Sequence, residues 1–320
     1  MLETLKTNKA SAFLFNVVLA VILIVPLAFN LQEADNQDAS GSNLLYFNSI
    51  IPLWVQSVAS ILLYLITIWF ANFVVTKHQL MGRGNQLTGF FCLILLALGP
   101  NLLFNNLIPL SSLLVIRLFD RCFELQKSTK PNPLLFDGSF LVTILTLLYT
   151  PFILLIILVW LAGLYSGHFS FKGWLLSIFT VFIGFYLFIG TLYLMSLTII
   201  PSLEFQISNL FFPSSEVSLI TLICITLLIL ITLPTTFSVL RFSKVIVRNH
   251  LNIVLWSIPI LFLVFITTHL KLEFYFSFLF FPLAIILGQF FLKTKKQRLA
   301  KWGIIVLIIL VATHRFIQLI

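Results

Sequence analysis

The chain has 320 residues, 60% of them hydrophobic and 9% charged, and its nineteen Lys and Arg outnumber ten Asp and Glu. With a mean hydropathy of +1.11, this composition excludes a water-soluble domain and points to an integral membrane protein. The surplus of cations does not imply nucleic acid, because they are spread over short polar gaps between apolar stretches, as membrane topology requires.

The length leaves room for roughly ten spanning helices of about 20 residues and for no soluble domain, so residues 1–320 are expected to form a single integral membrane domain. Lys6 and Lys9 keep the N-terminus on the cytoplasmic side. The first apolar stretch, 11–30, lacks a small-x-small cleavage site before Gln32 and reads as a retained signal anchor. It leads to an outer loop, 32–43, with Glu33, Asp35 and Asp38 and no basic residue. A second helix at about 48–75 returns to Lys77, His78 and Arg83. Helices at about 87–104 and 107–125 follow, the latter returning to Arg121, Lys127 and Lys130.

The stretch 139–166 decides the map. Read as one crossing helix, it would place Lys172, Arg241, Lys244, Arg248 and the run Lys293, Lys295, Lys296, Arg298 and Lys301 on the outer side, against the positive-inside rule. Broken at Tyr149-Thr150-Pro151, it places them all inside. Proline removes a backbone donor and disfavours helix in the residue before it. Two short segments, 139–150 and 152–166, are therefore expected to dip in and return as a broken hairpin shielded by neighbouring helices. Helices at 173–198, 217–239, 251–269, 274–292 and 303–320 then alternate, with outer loops containing Glu204, Glu216, Lys271 and Glu273. The expected fold is an all-α, polytopic membrane helix bundle of about 11 segments. The only Lys and Arg it does not place in inner gaps are Arg117, Lys271 and Arg315.

Candidate chemistry rests on single residues. Asp35 and Asp38 occupy the first outer loop, where a carboxylate can serve as general base or hold a metal against a lipid phosphate. The plainer reading of that Asp-, Asn-, Ser- and Gly-rich stretch is a solvated connection. Arg117 lies inside a span, where a guanidinium suits phosphate geometry. The plainer reading is a snorkelling side chain with ion pairs along its own helix, beside Asp120, Arg121 and Glu124. Lys271, near His269 and Glu273, and Arg315, beside His314, are outward-facing candidates for holding a lipid phosphate, or simply interfacial residues. Asp137 is expected to cap the helix that starts at Gly138-Ser139-Phe140. The in-span amides Asn16, Gln56, Asn72 and Asn101 are expected to hydrogen-bond between helices, and the run from Lys293 to Lys301 to bind anionic headgroups. Cys92, Cys122 and Cys224 form no CxxC or Cys/His cluster, so no zinc site, disulfide framework or other cofactor is indicated.

Two stretches carry a family resemblance. One runs from Asn72-Phe73-Val74-Val75 through Lys77, Leu80 and Asn85 to Leu98-Gly99-Pro100. The other is Leu135-Phe136-Asp137-Gly138-Ser139-Phe140 with Leu148-Tyr149 after it. Over roughly residues 60–190 the chain resembles a group of inner-membrane proteins of Bacteroidota, some labelled β-carotene monooxygenase. Relatives often read Phe-Asp-Ala-Ser/Gly-Phe at the second stretch, and the histidine constellation of an oxygenase is missing here. In layout the chain is similar to C-class glycosyltransferases and O-antigen polymerase-like proteins. That likeness implies an envelope-biogenesis protein of the bacterial inner membrane handling a polyprenyl-phosphate-linked sugar at the outer face; the cation map puts its N-terminus on the cytoplasmic and its C-terminus on the periplasmic side. Asp35 or Asp38 would be base or metal ligand, and Arg117, Lys271 and Arg315 would hold phosphate. A non-catalytic scaffold of an envelope secretion or motility complex, with other envelope proteins as partners, is the alternative, and a transporter the third.

Overall fold

A computed structural model of the protein describes residues 12, 14–20, 53–82, 85–97, 107–167, 170–194, 230–266, 272–293, 303–309 and 311–313. Among them, regular structure is helical: α1 Leu53–Lys77, α2 Leu87–Ala97, α3 Leu107–Leu125, α4 Pro131–Leu148, a 3-10 turn Thr150–Leu155, α5 Ile156–Tyr165 and α6 Phe171–Leu194. Next come α7 Leu230–Phe242, α8 Val245–Ile266 and α9 Leu272–Lys293. Among the described residues, four stretches are long and apolar enough to cross a membrane: Val58–Lys77, Pro131–Leu148, Phe171–Thr191 and Val245–Val264.

The core is largely apolar. All of α2 is buried, as expected of a helix hydrophobic around its whole circumference, and it packs between α1 and α9. Ring pairs bind α2, α3 and the 3-10 turn to α9: Phe91 with Phe291 at 5.0 Å, Phe119 with Phe281 at 5.1 Å and Phe152 with Phe278 at 4.8 Å. Other phenylalanines point outward, among them Phe179 and Phe182 of α6, so the aromatic surplus serves both packing and the outer surface.

The chain breaks where Pro151 predicts. α4 ends at Leu148, Tyr149 is extended at φ −143° and ψ 111°, and the 3-10 turn follows. The second limb runs back along the first: a Cβ on Gly138 would lie 3.5 Å from the Val159 methyls, and Gln126 Nε2, just past α3, donates to the Ala162 carbonyl at 3.2 Å. The first limb is longer than expected, however. It starts at Pro131, because Pro131 and Pro133 sit in a first turn that needs no backbone donors, and its 18 residues are a full span rather than a short dip.

This early start also corrects the cap. Asp137 lies in the second turn of α4, not at its N-terminus, and its carboxylate reaches Arg121 Nη2 at 3.3 Å. The N-cap position is Lys130, which makes no side-chain cap bond.

α4 and α6 meet along small residues that the sequence reading did not single out. Gly173, Ser177, Thr180 and Gly184 recur at helical spacing on α6, with Ser177 and Thr180 fully buried. A Cβ on Gly173 would fall 2.9 Å from Leu135 Cδ1, and one on Gly184 would fall 2.6 Å from Thr143 Cγ2. Small residues at such spacing let two backbones approach, which is how membrane helices gain packing when lipid offers no hydrophobic contrast.

Candidate functional site

One end of the bundle collects the polar side chains. α1 closes in a Schellman turn: Leu80 N–H donates to the Val75 carbonyl at 3.1 Å and Gln79 N–H to the Thr76 carbonyl at 3.2 Å. Gln79 takes the left-handed conformation, φ 54°, that this turn requires and that glycine usually supplies. The turn leaves Lys77 and His78 facing α3. There Lys77 Nζ meets Asp120 Oδ1 at 2.8 Å and Glu124 Oε1 at 2.6 Å, and His78 Nε2 meets Asp120 Oδ1 at 2.9 Å. A carboxylate only accepts, so His78 donates through Nε2. On the far side Arg117 Nη1 reaches Asp120 Oδ2 at 2.7 Å, and Arg121 Nη1 reaches Glu124 Oε2 at 2.7 Å. Arg121 then extends to Asp137, so α1, α3 and α4 are joined by one chain of ion pairs.

The Asp120 side chain is fully buried, while those of Lys77 and Arg117 remain 32% and 39% exposed. Burying a lone carboxylate costs several kcal/mol, and only several well-aimed donors offset that; three groups converge on this one. Beside it, the rings of His78, Phe123 and His250 meet edge-on or tilted: His78 to Phe123 is 5.2 Å, Phe123 to His250 is 4.9 Å and His78 to His250 is 5.4 Å between ring centres. His250 Nε2 donates to the Phe123 carbonyl at 3.1 Å. The Nδ1 atoms of both histidines are buried without a hydrogen-bond partner among the described residues.

Amides complete this end. Asn249 Nδ2 donates to Gln126 Oε1 at 3.2 Å and to the Tyr165 carbonyl at 3.0 Å, drawing the start of α8 and the ends of α3 and α5 together. Trp256 Nε1 adds a bond to the Tyr165 hydroxyl at 2.9 Å. Asn72 Nδ2 donates to Gln86 Oε1 at 2.7 Å and Asn16 Nδ2 to the Gln86 carbonyl at 3.3 Å, so these two in-span amides do bridge separate elements.

Of the residues the sequence singled out, Arg117 is thus placed against Asp120, and Asp137 against Arg121. Asp35, Asp38, Lys271 and Arg315 lie outside the described residues, as do Asn101 and most of the run from Lys293 to Lys301. Sequence reading missed His78 and Lys77 as partners of Asp120. Those contacts join residues more than forty positions apart, and no local spacing announces them. Cys92 and Cys122 are buried free thiols. Among the described residues, no group of three or more His, Cys, Asp or Glu is arranged to hold a metal ion.

What fold and site define is an all-α bundle of membrane type whose polar end is closed by interlocking ion pairs. Compared with family models, with curated proteins and with solved structures, the chain shows no match.

Proposed function

We propose that this is a polytopic protein of the bacterial inner membrane, of about 11 segments, that handles a lipid-linked saccharide in envelope biogenesis. The polar end described above would face the cytoplasm, by the positive-inside rule, and the chemistry would lie at the opposite face. Asp35 or Asp38 would act there as base or metal ligand, with Lys271 and Arg315 holding the lipid phosphate; Arg117, on the inner side, would hold a phosphate only by sharing its guanidinium with Asp120. Kinship with the inner-membrane proteins of Bacteroidota would give the same compartment.

One observation carries the reading: Asp120, Glu124 and Asp137 are each already engaged by cations. Acids held this way do not serve readily as a base, so the chemistry is directed to acids elsewhere in the chain, and the outer polar stretch 32–43 holds them. The same closed cluster favours a second reading, a non-catalytic scaffold, because it locks helices together and presents no reactive group.

Alanine at both Asp35 and Asp38 separates the two. On the first reading the cell's lipid-linked glycans change while the protein stays at its normal level in the membrane. An unchanged glycan profile at full protein level removes the enzyme, and stoichiometric co-purification of envelope proteins would then establish the scaffold.

A further inference from the structure

A cavity of about 320 Å³ opens at the polar end, between the Gln79–Gly82 turn, the corner joining α7 to α8, and the last turns of α9. That volume falls at the small end of the range for small-molecule sites, about 300–1,000 Å³. Its wall is mixed. Leu80, Val239, Val247 and Leu292 supply apolar surface, and Lys244, Lys293 and Gln289 supply polar groups.

The two lysines differ from the cations of the ion cluster. Lys77, Arg117 and Arg121 all meet carboxylates, whereas neither Lys244 nor Lys293 has an ion-pair partner among the described residues. No described acid lines the cavity, so its walls carry an uncompensated double positive charge. α8 adds to this. It starts at Val245, immediately after Lys244, and the unpaired N–H groups of its first turn favour an anion. The last turn of α9 works the other way, since its free carbonyls ask for donors.

Gln289 supplies an independent sign of a missing partner. It is only 3% exposed, its Nε2 makes a long bond of 3.5 Å to the Leu80 carbonyl, and its Oε1 has no hydrogen-bond partner among the described residues. A buried amide oxygen left bare is destabilising. A ligand carrying both an anion and a hydrogen-bond donor would satisfy the lysines and this oxygen together.

We propose that this cavity binds the headgroup of an anionic phospholipid whose phosphate carries a hydroxyl-bearing substituent, as in phosphatidylglycerol. The phosphate pairs with Lys244 and Lys293, the Gln289 side chain turns from its long bond to Leu80 so that Oε1, buried in the free protein, accepts from the hydroxyl, and the apolar wall receives the start of the glycerol and acyl part. A zwitterionic headgroup brings its own cation and leaves the cavity's two positive charges undiminished, whereas phosphatidylglycerol lowers the sum to one, so net negative lipid is selected. The site is built from α7, α8, α9 and the turn after α1, and it stands whether or not the acids of the 32–43 stretch prove catalytic.

Binding is measured on the full chain in detergent, by native mass spectrometry and by thermal shift, with phosphatidylglycerol, phosphatidylcholine and soluble glycerol 3-phosphate as separate probes. Phosphatidylglycerol is expected to bind and stabilise, and phosphatidylcholine to do neither. Lys244→Gln with Lys293→Gln is expected to weaken phosphatidylglycerol roughly 30-fold, at the usual strength of a cation near anionic headgroups. Gln289→Met is expected to keep the preference for phosphatidylglycerol over phosphatidylcholine while binding phosphatidylglycerol about 5-fold more weakly, the loss of one hydrogen bond. Lys130→Gln with Lys172→Gln removes the same charge from exposed positions elsewhere and is expected to leave binding unchanged. Equal weakening by this control pair overturns the site in favour of diffuse surface attraction. Equal binding of glycerol 3-phosphate overturns the lipid as its source, and no preference between the two lipids overturns the proposal outright.

Discussion

Asp120→Ala is expected to lower the stability of the folded chain by about 3–5 kcal/mol, the usual cost of removing one partner from a buried ion pair. The loss is large because one carboxylate serves three donors. Without it, His78 Nε2 is left buried with nothing to accept its hydrogen, Arg117 loses its partner along α3, and Lys77 is held to α3 by Glu124 alone. Asp120→Asn keeps an acceptor for His78 and is expected to fall between wild type and Ala. Lys77→Met is milder again, since Asp120 retains Arg117 and His78, and Glu124 retains Arg121. Thermal unfolding of detergent-solubilised protein, followed by size-exclusion chromatography, reads that order directly. A double-mutant cycle between Lys77 and Asp120 should return a coupling of about 0.5–3 kcal/mol. Wild-type stability in all three single variants would show that the cluster does not clamp the helices.

Gly184→Val should disrupt the α4–α6 seam, with a loss at the upper end of the usual overpacking cost of about 1–3 kcal/mol. The reason lies in what the new atoms meet. Thr143 is β-branched, and its hydroxyl donates to the Ser139 carbonyl at 3.0 Å, so its rotamer is already spoken for. A Cβ at position 184 would stand 2.6 Å from Thr143 Cγ2 and 3.1 Å from its Cβ, and only a separation of the helices relieves that. Two controls bracket the effect. A Cβ on Gly190, on the same helix, would meet nothing within 4 Å, and Gly190→Val should stay within about 0.5 kcal/mol of wild type. At Gly288 a Cβ would collide with the Met81 thioether methyl, but that is the end of a flexible side chain. Gly288→Ala should therefore cost less than Gly184→Val. Equal stability of the Gly184 and Gly190 variants would show that the close approach at Thr143 contributes nothing.

Much of the helical framework is legible in the residues. Apolar periodicity places α3 at Leu107–Leu125, and Pro151 marks the break after α4. Asn72 and Asn16, amides in apolar surroundings, do find partners on other elements. The start of α4 is legible too, because Pro131 and Pro133 favour a first helical turn. The carboxylate of Asp137 is the stronger lure, being a good cap residue in a position where no helix starts.

The ion cluster is legible only in its local half. Arg117–Asp120 and Arg121–Glu124 follow from three-residue spacing on one helix. The contributions of Lys77 and His78 depend on a helix-ending turn with a left-handed glutamine and on the register between α1 and α3, neither of which leaves a mark in sequence. The α4–α6 seam stands in plain view as a run of small residues, yet its meaning requires knowing which helix lies opposite.

The six acidic and basic groups of the cluster, Lys77, Arg117, Arg121, Asp120, Glu124 and Asp137, balance three against three in formal charge. Electrical work on a moving body scales with its net charge, about 2.3 kcal/mol per elementary charge for each 100 mV. A unit that sums to zero feels almost none of it. A shift of this cluster as one body would thus be almost indifferent to the voltage across the membrane, unlike a shift of Lys244 and Lys293, which carry net charge at the same end.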